Sequence, residues 1–134
     1  MDKFKRITII DSDDDDDLEL NDKLQWFSNC VGMFNDRDKE KSCFRIFVNL
    51  LKEDEPISSD EIAERSRLSR GTVIHHIIHL RDSGLVVKRD DGYALRTKNL
   101  EMLTNEIEKD LLNTMKKIKK ISKEIDKELK HNKF

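Results

Sequence analysis

The chain is poor in the residues that break helices. Among 134 residues there are one proline and four glycines, a scarcity that argues for a helix-rich protein with few loops. No apolar run approaches the roughly 20 residues needed to span a bilayer. The N-terminal stretch MDKFKRITIIDSDDDDD starts with basic residues, but its apolar run is too short for a secretory signal. A cytoplasmic protein with no membrane partner is expected. Two cysteines, Cys30 and Cys43, have neither paired spacing nor histidine neighbours, which favours free thiols over a disulfide or a zinc site. Also missing are a Ser-His-Asp order, a phosphate-cradling glycine loop and a Cys/His cluster. Their absence argues against an enzyme and leaves no cofactor to expect.

What the chain has in abundance is charge: 40% of residues are charged and only 36% are hydrophobic. The net charge of −2 hides an uneven distribution. Residues 1–40 carry 6 basic and 12 acidic groups, residues 41–96 carry 10 and 9, and residues 97–134 carry 10 and 7. The body of the protein is therefore mildly basic and the acid excess is N-terminal. Most of that excess is DSDDDDD at 11–17. Six mutually repelling carboxylates bury nothing, so residues 1–17 read as a disordered acidic tail. A solubilising role accounts for it, as does competition with nucleic acid for the protein's own basic surface. Just before the run, Ile7, Ile9 and Ile10 suit a short strand or a docking peptide.

In 18–34 the residues Leu20, Leu24, Phe27, Val31 and Phe34 fall at helical spacing, and the only tryptophan, Trp26, lies among them. An amphipathic helix is expected, followed by a hinge or cap at 35–38. Residues 39–52 form a second helix with Phe44, Phe47, Val48 and Leu51 on its apolar face. Pro56 stops it and biases its predecessor toward an extended shape, so 55–57 suit one short strand. Ser58 then caps a third helix, SDEIAERS, with Glu61 completing a capping box. Ser69 caps a fourth, whose buried stripe is Val73, Ile77 and Leu80, within about 60° of one another. Gly84 ends it. Two short strands follow around Asp91-Gly92, a hairpin signal.

Helix, short strand, helix, turn, helix, β-hairpin is the order of a winged helix–turn–helix. The expected fold is mostly α, with a two-stranded wing and long flanking N- and C-terminal helices. ISSDEIA at the start of the third helix, SRGTV entering the fourth and HLRDSGLV leading to the wing carry a further signal. Over about residues 39–96 the chain resembles the arsenical-resistance repressor (ArsR) superfamily and its small archaeal relatives. That resemblance implies a DNA-binding transcription regulator, with double-stranded DNA as partner. In relatives, terminal helices build a two-fold interface. The metal-sensing members place ligands on terminal helices or as cysteines in a motif helix. Here the third helix has no Cys and the last has no His before His131, so that sensor chemistry does not carry over.

Residues 97–130 lack Gly and Pro, and apolar residues recur there about every 3.6 positions. That period favours a nearly straight helix against a partner over a long supercoil. A small domain cannot cover so long a stripe, so 97–134 is expected to make a homodimer through Leu103, Ile107, Leu111, Ile118 and Ile125. The same stretch holds KKIKKISK at 116–123. A solvated face flanking the dimer seam explains these lysines, and a second nucleic-acid contact is the sharper reading.

Three of the four histidines sit in the fourth helix. His75 and His79 are four apart, as in chelating pairs, but a third ligand is missing and the metalloprotease Glu of H-E-x-x-H is absent. No metal is expected. As a recognition helix, 70–82 offers Arg70 for guanine or phosphate, Gly71 for close approach, Thr72 for a thymine methyl or phosphate, and His75 and His79 as donors. His76 is assigned to packing. The 86–96 wing adds Lys88, Arg89 and Arg96, opposed by Asp90 and Asp91 at its tip. Arg65 and Arg67 are further phosphate candidates. The alternative is a winged-helix module for protein assembly, with an unidentified protein partner, or for low-specificity DNA architecture.

Overall fold

A computed structural model describes residues 6–13, 17–35, 37–38 and 40–132. Of the expected acidic tail, residues 1–5 and 14–16 lie outside the described residues. Five helices and one hairpin follow in the order α1 (Leu20–Cys30), α2 (Ser42–Leu51), α3 (Ser59–Ser66), α4 (Arg70–Asp82), β1 (Val86–Arg89), β2 (Gly92–Leu95) and α5 (Leu100–His131). The architecture is the expected one, mostly helical with a two-stranded antiparallel wing.

Helices α2, α3 and α4 pack on one another around Ile46, Phe47, Ile62, Val73, Ile77 and Leu80, all at most 1% exposed. Local chemistry sets their ends. Ser58 Oγ accepts the Glu61 N–H at 3.1 Å. The box is only half formed, because the Glu61 carboxylate accepts from Arg65 Nη2 at 2.6 Å. Ser69 Oγ caps α4 through the Thr72 N–H at 3.1 Å. Between them, Arg67 adopts a left-handed φ of 54°. The turn is held from α2: Arg45 donates to the Ser66 carbonyl, and Asn49 Nδ2 donates to Ser66 Oγ at 2.9 Å.

Strands β1 and β2 pair from Val86↔Leu95 to Arg89↔Gly92. The extended residue expected near Pro56 is Ile57, which exchanges both backbone hydrogen bonds with Tyr93, at 2.9 and 2.8 Å. Gly92 serves this third strand more than the turn. A Cβ there would lie 2.9 Å from the Ile57 carbonyl, so any side chain would force the bridge apart.

The bounds of three helices differ from the sequence expectation. Helix α2 spans Ser42–Leu51 of the expected 39–52 and starts where the Asp38 carboxylate accepts the Ser42 and Cys43 amides. Helix α1 ends at Cys30, short of Phe34, because Gly32 turns the chain at φ 78°. Val31 and Met33 then enter the core and Phe34 packs on Phe44 at 5.6 Å. Helix α5 starts at Leu100, where Asn99 Oδ1 caps the Met102 N–H at 2.8 Å. Among the described residues no helix is long and apolar enough to cross a membrane.

Residues 6–13 run across the ends of α1 and α4. Arg6 N–H donates to the Asp82 carbonyl at 3.2 Å and Ile10 N–H to that of Cys30 at 2.8 Å. Trp26 Nε1 donates to the Asp13 carbonyl at 3.0 Å.

Candidate nucleic-acid interface

The short α3–α4 turn and the Ser69 cap set α4 on the core by its Val73–Ile77–Leu80 stripe, leaving the opposite arc outward. Arg70, in the first turn, is 74% exposed and pairs with Asp60 at 3.0 Å. Both partners are solvated, so the pair is worth about 0–1 kcal/mol and a phosphate or a guanine edge can replace it. No neighbour lies within 4 Å of a Cβ built on Gly71. Nothing inside the protein demands a glycine there, and the surface over it is open. His75 is exposed.

Thr72 and His79 were expected on the same face but stand on its flank, both half-buried. The Thr72 hydroxyl is tied to Ser69 Oγ at 2.8 Å. His79 Nε2 lies 3.5 Å from the Gly32 carbonyl, under the loop that follows α1. The outward arc instead includes Ile78, 55% exposed. Its angle of about 140° from Val73 was a usable signal, masked by the habit of reading isoleucine as inward.

His76 packs edge-on to His75, with ring centroids 5.3 Å apart. Burial lowers its pKa below the usual 6.5, aided by the neighbouring His75 and His79 and opposed by Asp38. Burial alone would raise the Asp38 carboxyl, but the amides of Cys43 and Ser42, with His76, bring it below its ordinary 3.8. Those two amides start α2, at 3.0 and 2.9 Å from the carboxylate oxygens. Cys43 is 2% exposed; burial, then the Asp38 charge, pushes its thiol up to about 12, so it stays protonated and inert. Among the described residues no group of three or more His, Cys, Asp or Glu side chains converges as a metal site.

On the wing, Lys88 and Arg89 are exposed. Arg89 Nη2 donates to the Arg96 carbonyl at 3.0 Å, across the base of the hairpin. Arg96 departs from its expected role as a wing cation. Its side chain is 14% exposed and its Nη1 and Nη2 reach the two carboxylate oxygens of Asp110 at 2.6 and 3.2 Å, with Glu106 at 3.5 Å. It ties α5 to the wing. Arg65 is likewise engaged by Glu53 and Glu61, while Arg67 is exposed.

Residues 47–87, spanning α2 to β1, match a family model described as winged helix-turn-helix DNA-binding. Comparison with curated proteins and with solved structures yields no match. The element order and the strand register show a winged helix–turn–helix fold, with α3–α4 as the helix–turn–helix and β1–β2 as the wing, and its 47–87 segment is similar to the DNA-binding family of that fold.

Proposed function

We propose that the protein is a dimeric, site-reading transcription regulator of the ArsR-like, small archaeal type. It inserts the N-terminal half of α4 into the major groove and rests the wing on the backbone. One observation carries the reading: the first two turns of α4 present a 74% exposed Arg70, open space over Gly71, and an exposed His75. Arg70 would read guanine or phosphate, and Lys88 and Arg89 phosphate. Ile78 is placed to meet a thymine methyl.

Dimerisation follows from α5. Leu111, Met115, Ile118, Ile125 and Leu129 are between 37% and 51% exposed on one face, and a second copy offers the same stripe for self-complementary burial. Leu20 and Trp26 of α1, 73% and 36% exposed, extend the apolar surface available to the interface. A chain ending at Asp110 keeps the core and should be monomeric by light scattering. A dimer of that chain would move the interface elsewhere.

The test of DNA reading is fluorescence anisotropy on the gene's upstream duplex and on a scrambled one. If Arg70 is bidentate to guanine, Arg70→Ala should weaken the specific complex by about 1–3 kcal/mol and the scrambled one much less. Equal losses would reduce Arg70 to a phosphate ligand. No binding to either duplex would sink the regulator reading. It would then favour a protein-assembly module, the reading that the exposed Ile78 and the acidic wing tip at Asp90 and Asp91 support.

A further inference from the structure

Beyond Asp110 every described residue of α5 is exposed, and its charges are sorted by side. At 100° per residue, Leu111, Met115, Ile118, Ile125 and Leu129 fall within about 40° of one line. Lys116, Lys119, Lys120, Lys123, Lys127 and Lys130 occupy the arc from about 80° to 180° on the other side. The acidic residues of the same stretch, Glu124, Asp126 and Glu128, fall outside that arc. All six lysines are exposed and, among the described residues, none has an ion-pair partner. The strip runs about 21 Å along the helix. The grooves between its side chains are lined almost wholly by lysine, with Glu124 at one edge.

A merely solvated helix face has reason to alternate signs, since opposite charges three or four residues apart support the helix and like charges oppose it. Here 116/120, 119/123 and 123/127 are like-charge i,i+4 pairs, and 116/119, 120/123 and 127/130 are like-charge i,i+3 pairs. These six outnumber the four opposite-charge pairs the same lysines make, 120/124, 123/126, 124/127 and 126/130, so the balance works against the isolated helix and a polyanion would relieve it. Of the polyanions, an anionic membrane fits poorly. An interfacial helix sinks its apolar face into the lipid, and under the dimer proposal that face is already buried against a second copy. The strip also lies on the back of the stripe that dimerisation would bury, so both surfaces can be used at once.

We infer that this lysine strip is a second, sequence-independent duplex-DNA contact, binding backbone phosphates independently of α4. The inference rests on the DNA-binding reading and extends it. A duplex presents a charge about every 1.7 Å of its axis, and each phosphate neutralised adds about 0.9 to the salt slope of binding.

The experiment is anisotropy of the full chain on random-sequence duplex from 50 to 300 mM salt, on the order used to resolve such slopes. The variant carries Lys116→Gln, Lys120→Gln, Lys123→Gln and Lys127→Gln, changes that keep helix propensity. We expect the slope to fall by about two to four ions per protomer, with helicity and oligomeric state unchanged. The corresponding four Lys→Arg changes should restore the slope. An unchanged slope in the Gln variant overturns the inference and leaves the α4 reading standing. Loss of binding to phosphatidylserine vesicles with duplex binding intact overturns it in favour of a membrane. If duplex binding survives an Arg70→Ala, Lys88→Ala, Arg89→Ala variant but not the Gln variant, the strip stands and the α4 reading falls. No duplex binding by the wild-type chain overturns both.

Discussion

The two halves of α5 carry the same apolar repeat and meet opposite fates. In the first, Leu103 is 0% and Ile107 7% exposed, and both belong to the domain's own core. In the second, Ile118 is 51% and Ile125 48% exposed. Leu103 and Ile107, expected in the dimer seam, are therefore anchors within one chain, and only Leu111 onward is available to a partner. Periodicity shows that a helix has a face to bury; it does not tell what buries it. The division falls where Arg96 grips Asp110, the last point at which the wing reaches α5.

The sharpest break of this comparison is Leu103→Ala. It removes a fully buried side chain and should destabilise the domain by about 2–5 kcal/mol in chemical denaturation, whatever the protein concentration. Ile118→Ala should leave the domain's own stability nearly unchanged, and under the dimer proposal it lowers the midpoint only in a concentration-dependent way. Equal, concentration-independent losses at both positions would erase the distinction. Next in size is Arg96→Ala. It strands Asp110 half-covered and should destabilise by about 1–3 kcal/mol, with the loss focused on α5. Hydrogen exchange at 100–110 should quicken more than at α3. Uniform quickening would mean that Arg96 supports the whole core.

The smallest effect concerns pH and the α4 histidines. His76 has its pKa lowered by burial, so the unfolded chain takes its proton first as pH falls. The stability tied to its neutral form is fully present above about 6.5 and is lost as pH drops through the folded value. His76→Gln should flatten the stability profile just below 6.5. An unchanged slope would assign the acid sensitivity elsewhere.

The helix–turn–helix was legible because its signals are local. Ser58 and Ser69 cap within three residues, Gly84 follows the end of α4, and the wing is built around a short polar turn. Ile57 falls within the short strand expected at 55–57, although proline constrains only its predecessor, Glu55. The misses are long-range. Nothing near His79 in sequence shows that the loop at Gly32 covers it, 47 residues away. Nothing near Arg96 points to Asp110. Gly32 was lost inside an apolar run that it in fact breaks. For the candidate face, position in the first turn pointed to Arg70 and the helical angle to His75, but neither could reveal that His79 is shaded, because the loop that covers it belongs to the N-terminal segment.

The Ile57–Tyr93 bridge has a consequence for recognition. A free two-stranded hairpin of four-residue strands is marginal in water, and its tip would sample many positions. Here the return strand is stitched to the segment between α2 and α3, and Gly92 lets the backbones close to that distance. The bridge therefore braces the wing against the helix–turn–helix, as a stay holds one jaw of a caliper. The span from Arg70 to Lys88 is set before any duplex arrives. Little ordering of the wing is left to offset the contacts it makes. Under the proposed DNA reading, a duplex would meet a wing already braced by the Ile57–Tyr93 bridge, so groove width would be tested ahead of any base.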